Sequence, residues 1–209
     1  KLLLRFYDAH KGAVLVGGID VKQMDPQALR SRIGVLFQDY ANYELSVREN
    51  VVMGWPYVAA DDQLVLKALR DSRSEWLVKK MPNGLHSKVG RLFEGGHDLS
   101  GGEWQRLALA RIMYRNADIW ILDEPTSGVD PIARRNFWDL IYQLSAAGNT
   151  VFVSTHYMDE AEYCHRLALM YRGGVIALGT PDELKRDARM SSMEEVFVDL
   201  IETEERKKS

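Results

Sequence analysis

Three short apolar runs, each closing on a polar residue, constrain this 209-residue chain more than any other feature. They are "RIGVLF" from Arg32 to Phe37, stopping at Gln38; "DIWILDEP" from Asp118 to Pro125, whose apolar part ends in Asp123 and Glu124; and "TVFVSTH", Thr150 to His156. Continuously apolar strands that alternate with helices indicate a parallel sheet covered on both faces. The expected fold class is therefore α/β. In open parallel sheets the ligand crevice lies beyond the carboxyl ends of the strands, where these polar residues fall.

The intervening segments fill in the elements. "AVLVGGIDV", Ala13 to Val21, reads as a hairpin turning at Gly17 and Gly18. From Ser46 to about Met81 the pattern is helical, with Asp61 and Asp62 as start signals and Val65, Leu69, Ser72 and Trp76 on one core-facing stripe. A further helix runs from Pro131 to Ala147, closed by Gly148. "RLALMY" and "GVIALG" are strands split by Gly173 and Gly174, and the tail from Met193 to Ser209, amphipathic for a turn or two and then charged, reads as a frayed helix.

"DLSGGEWQRLALAR", Asp98 to Arg111, places two glycines at the start of a helix. Ser100 and Glu103 form a capping box, which accounts for the helix start but not for Gly101 and Gly102. Each glycine costs roughly 0.8 to 1 kcal/mol against alanine in a helix interior, and less near an end. Glycine leaves the amides of a positive helix terminus open to an anion, so the stretch reads as a phosphate-facing helix start.

Composition narrows the partners. With 46% hydrophobic and 27% charged residues the chain can bury a core, and its net charge of -3, with interspersed signs, gives no basic face for nucleic acid. No apolar run approaches the length of a membrane span. The one cysteine, Cys164, excludes an internal disulfide and a cysteine-rich zinc site. It reads as a small buried apolar residue.

The strand ends carry a set suited to phosphoryl hydrolysis. Asp123 can hold Mg²⁺, Glu124 can orient or deprotonate an attacking water, His156 can bond a terminal phosphate, and Gln38 can ligate metal or water. Singly, each has a plainer reading. An acidic pair before proline is often a solvated turn, His156 a helix-start or core histidine, and Gln38 alone carries no signal. The joint pattern, with the double-glycine helix among them, outweighs these. An alternative metal set of His156, Asp159, Glu160 and His165 is disfavoured, because acidic residues in a first helical turn need only the helix dipole.

"LSGGE" at Leu99 to Glu103, "IWILDEP", "SGVD" at Ser127 to Asp130, His156 and Gln38 resemble, in order and spacing, five motifs of ATP-binding cassette (ABC) ATPases. These are the signature, Walker B, D-loop, switch histidine and Q-loop. The resemblance implies a P-loop NTPase (RecA-like) sheet with an inserted helical subdomain, ATP and Mg²⁺ as cofactors, and a head-to-tail dimer with a second nucleotide-binding domain. It further implies that Ser100, Gly101, Gly102 and Glu103 serve nucleotide held by the other subunit. Asp123 and Gln38 would serve Mg²⁺, Glu124 would be the general base, His156 would sense the γ-phosphate, and Asp130 would couple the sites.

"LLLRFYD", "FQDY" and "FEGG" at Phe93 to Gly96 look like exporter-type cassettes, in which Glu94, Gly95 and Gly96 would touch a membrane domain. From Asp123 to Leu184 the chain looks more like ATPase subunits of ABC-2-type exporters. The implied divisions are 1–45, remainder of the first core part and Q-loop; 46–98, helical subdomain; 99–180, signature to switch region; and 181–209, C-terminal tail. The implied setting is the cytoplasmic face of the plasma (inner) membrane, peripheral to a transmembrane domain, fused or separate.

The family's phosphate loop, G-x-x-x-x-G-K, has no counterpart, since no glycine here is followed by lysine. Because Glu124, His156 and Gln38 would serve the site such a loop completes, we expect an N-terminally truncated nucleotide-binding domain rather than true loss. A degenerate subunit that lends its signature to a partner, and a soluble ABC ATPase outside transport, are the alternatives.

Overall fold

The computed structural model describes residues 1–92 and 96–207, which divide into two compact units, Lys1–Ser154 and Thr155–Ser209. In the first, β1 (Leu15–Val16) and β2 (Ile19–Asp20) form the expected antiparallel hairpin. Gly17 and Gly18, with φ of +59° and +80°, supply the two positive-φ positions that a two-residue turn of this hand requires. Helix α1 (Pro26–Ser31) follows a 3₁₀ turn and is started by Asp25, whose carboxylate accepts from the Ala28 amide at 2.7 Å.

Strand β3 (Ile33–Leu36) leads to α2 (Val47–Val52), α3 (Asp62–Asp71) and α4 (Trp76–Lys80). The segment expected to be helical from Ser46 to Met81 is thus three helices. Val65, Leu69 and Ser72 are buried as expected, but Arg73 turns the chain with φ of +55°, so Trp76 opens α4 instead of extending the stripe of α3. Val47, Val51, Val65, Leu69 and Leu77 pack with Leu107 of α5 (Gly101–Arg115) into one core cluster. Each fully buried leucine or valine there contributes roughly 1.5–3 kcal/mol.

Strand β4 (Ile119–Asp123), helix α6 (Pro131–Ala146) and strand β5 (Thr150–Ser154) complete the unit. The sheet is parallel in the order β3-β4-β5, as the apolar runs indicated. Coverage is less even than expected: β3 is largely buried, whereas β5 at the sheet edge leaves Phe152 about half exposed, at 52%.

The second unit contains α7 (Met158–Ala161), β6 (Leu167–Tyr171), β7 (Gly174–Gly179), α8 (Pro181–Ala188) and α9 (Met193–Arg206). With no helix between them, β6 and β7 pair antiparallel about Arg172 and Gly173. The helix expected from Met193 is α9, which runs regularly to Arg206. A capping box of Ser192 and Glu195 starts it, Met193 and Val196 are buried, and Arg206 pairs with Glu202 at 3.0 Å near its end. Among the described residues no helix is long and apolar enough to cross a membrane.

Candidate functional site

The site begins with strand register. Leu36 pairs with Leu122 and Asp123 with Ser154, so the chain leaving β3 runs alongside the end of β4. There the Gln38 side-chain amide donates to Glu124 Oε2 at 3.2 Å. The Glu124 amide donates to the Ser154 carbonyl at 3.0 Å and also approaches the Ser154 hydroxyl, which itself donates to Asp123 Oδ1. Glu124 has φ of +41°, a left-handed conformation rare for residues other than glycine. Such strain persists where its surroundings over-determine it, and here the Ser154 and Gln38 contacts do so.

The double-glycine helix start is built as the sequence implied. Ser100 Oγ accepts from the Glu103 amide at 3.4 Å, and Glu103 Oε2 accepts from the Ser100 amide at 2.7 Å. Lys80 Nζ donates to Glu103 Oε1 at 3.0 Å, so both Glu103 oxygens are engaged within the chain. Partial burial alone would raise the Glu103 carboxyl pKa, but the bonds from Ser100 and Lys80 bring it below its ordinary value. A Cβ added at Gly101 or Gly102 would meet no atom within 4 Å, so packing within the chain does not require either glycine.

Two residues absent from the sequence reading of the site join these parts. The Tyr40 hydroxyl donates to the Gly101 carbonyl at 3.0 Å, and the buried Gln105 side chain donates to the Pro125 carbonyl. Tyr40 could be noted only as part of "FQDY". Gln105 gave a faint signal as a polar residue one turn beyond Gly101 on a buried helix. Partial burial pushes the Tyr40 phenol pKa up against the opposing pull of Arg111. A cleft of about 230 Å³ is lined by Gln38, Tyr40, Gly101, Gly102, Glu124 and Asp130. Asp130 is also the N-cap of α6, accepting from the Ile132 and Ala133 amides, each at 3.0 Å.

His156 belongs to the second unit, where its ring lies against Tyr157 with centroids 4.1 Å apart. Asp159 and Glu160 occupy the first turn of α7, and among the described residues no group of three His, Cys, Asp or Glu is placed to hold a metal ion. Cys164 is half-buried rather than buried, its thiol donating to the Glu160 carbonyl at 3.8 Å, and burial raises its pKa. Glu94 and Gly95 lie outside the described residues. Gly96 leads into His97, whose backbone bonds to Lys88 and Gly90.

A parallel sheet with these residues at its strand ends and a helical insertion between β3 and α5 is the fold of the α/β P-loop NTPases. Residues 1–127 match the family model described as "ABC transporter", and the chain belongs to that family. It is 34% identical over 184 residues to the subtilin transport ATP-binding protein SpaT of Bacillus subtilis, covering 88% of this chain and 30% of that protein. It is 39% identical over 199 residues to the probable multidrug ABC transporter ATP-binding protein YbhF of Escherichia coli, covering 91% of this chain and 32% of that protein. Among solved structures it resembles a bacterial Atm1-family ABC exporter with ATP bound, at a TM-score of 0.80 and 25% identity over 95% of this chain and 33% of that one. The chain therefore spans about a third of the length of the curated relatives it matches.

Proposed function

We propose that this chain forms part of the ATP-hydrolysing domain of an exporter, in which ATP closes two such domains head to tail and hydrolysis reopens them. The observation that carries the reading is Glu124, held at positive φ at a strand end with its carboxylate bonded to Gln38. A carboxylate so fixed is suited to orient an attacking water and take its proton. Gln38 is the positioning group, and it keeps its own carbonyl oxygen for a metal or water.

Asp123 and the Gln38 carbonyl are hard oxygen donors of the kind Mg²⁺ prefers, and they would hold it. When bound, Mg²⁺ neutralises charge on the β- and γ-phosphates. Ser100, Gly101 and Gly102 present a helix N-terminus to the nucleotide of a second domain, with Glu103 fixing that terminus. Asp130 couples the two sites, and His156 senses the terminal phosphate. Glu94, Gly95 and Gly96 are assigned to contact with a transmembrane domain, and the divisions at residues 45, 98 and 180 go with this assignment. The setting is the cytoplasmic membrane face.

The 209 residues contain no G-x-x-x-x-G-K loop, and the alternative reading is that the chain only lends its signature helix to an active partner. ATP hydrolysis measured on the protein as the cell makes it, in lipid and with its membrane partner, decides the matter. Loss of hydrolysis in Glu124→Gln supports the active reading, and unchanged hydrolysis supports the silent one.

A further inference from the structure

We propose that Tyr40 is a positioning residue that aims and strengthens the Gly102 amide as a donor to a nucleotide phosphate. The inference rests on the nucleotide reading above and assigns Tyr40 a part in it. The Tyr40 hydroxyl donates to the Gly101 carbonyl at 3.0 Å. That carbonyl belongs to the same planar peptide group as the Gly102 N–H. Holding the oxygen therefore fixes the direction of the N–H on the opposite side, and withdrawing electron density through the peptide makes that N–H a stronger donor.

The Gly102 amide is well placed to use this. It lies in the first turn of α5, where amides have no partner within the helix, and the Ser100 cap takes the amide of Glu103 instead. Gly102 lines a cleft, and a Cβ there would meet nothing within 4 Å, so packing within the chain does not require the glycine. Tyr40 lines the same cleft.

The hydroxyl is held by a braced loop. Gln38 reaches Glu124 at 3.2 Å, and the Ala41 carbonyl accepts from Arg111 Nη1 at 2.5 Å. Arg111 also donates to Asn50 Oδ1 at 2.8 Å, and Asn50 Nδ2 donates to the Tyr43 carbonyl at 2.8 Å. The loop is thus tied to the strand-end carboxylate on one side of Tyr40 and to α5 on the other. Glycine packs nothing at position 102, and tyrosine at position 40 gives its peptide a defined plane.

The test is Tyr40→Phe, which removes only the hydroxyl, in the protein as the cell makes it, reconstituted in lipid and labelled with ¹⁵N-glycine. The expected result is a shift of the Gly102 ¹⁵N resonance with the Gly148 and Gly173 resonances unmoved. ATP hydrolysis should fall about five- to tenfold, as loss of one neutral hydrogen bond implies. Melting should drop by no more than about 4 °C. An unmoved Gly102 resonance overturns the proposal. So does a moved resonance with unchanged hydrolysis in a protein whose Glu124→Gln variant is inactive. If the parent protein hydrolyses ATP no faster than Glu124→Gln, the nucleotide reading has failed and the proposal falls with it.

Discussion

Gln38 and Glu124 stand 86 positions apart in the chain and share a hydrogen bond of 3.2 Å at the ends of two neighbouring parallel strands. The bond depends on register. A one-residue slip of β3 would turn its side chains to the other face of the sheet and carry the following loop away from Glu124.

Glu124→Gln keeps the size and most of the hydrogen bonding of the side chain and removes its basicity. Hydrolysis by the native protein is expected to fall by about 10²- to 10⁴-fold, the usual contribution of a general base, with binding of a fluorescent ATP analogue retained. Phosphate release and nucleotide titration on one sample check both parts. Equal hydrolysis in the two proteins would remove Glu124 from the mechanism.

Gly101→Ala separates function from folding. The added methyl meets nothing within 4 Å and the position is helical, so stability should hold or rise by up to about 1 kcal/mol. If Gly101 faces the nucleotide of a second domain, as proposed, hydrolysis should fall at least about tenfold, because the methyl would stand in the way of its phosphate. A urea melt read beside the hydrolysis rate checks the pair, and a variant with full activity would refute the assigned approach.

Gly54 and Gly34 make the opposite case. A Cβ at Gly54 would lie 1.8 Å from the Arg111 carbonyl oxygen, and one at Gly34 would lie 2.2 Å from Cγ2 of Ile112. Gly54→Ala should destabilise by about 1–3 kcal/mol or more. Gly34→Ala should cost a similar amount in the native background and less in an Ile112→Ala background, since the obstruction is a side chain. No such relief is available at Gly54, where the obstruction is backbone. Denaturant midpoints of the single variants and of the Gly34→Ala/Ile112→Ala double variant test this contrast.

Acid sensitivity should trace in part to Glu49. Hydrogen bonds from the Ser46 hydroxyl and amide, then from Lys88, hold its carboxyl below the ordinary 4.5, at about 2. A depressed carboxyl pKa contributes stability that is complete above the ordinary value and is lost as pH falls towards the lowered one. The contribution should therefore fade between pH 4.5 and about 2, and Glu49→Gln should flatten that part of a stability profile. An unchanged acid limb would show that the capping interaction has no such linkage.

Much of the local structure was legible. Ser100 and Glu103 announced α5, Pro131 and Gly148 bracketed α6, and Gly17 and Gly18 marked the first hairpin. Two helices passed over carry the same kind of signal. Asp25 with Pro26 starts α1, and Thr180, Pro181 and Glu183 start α8. Other departures came from interactions beyond the immediate neighbours. Arg73, at positive φ, turns the chain after α3 so that Trp76 opens α4, and burial of Met193 and Val196 anchors the start of α9.

The sequence by itself determined the alternation of strands and helices, the caps, and the set of polar residues at strand ends. These depend on hydrophobic periodicity and on partners within one helical turn, where the geometry of neighbouring residues is already fixed. Only the tertiary structure decided that Gln38 meets Glu124, that Tyr40 holds the Gly101 peptide across 61 positions, and that Arg111 braces Ala41 across 70. Those contacts follow from register and helix placement. Alternation and apolar runs restrict both without selecting one, because the final choice rests on packing among residues far apart in the chain.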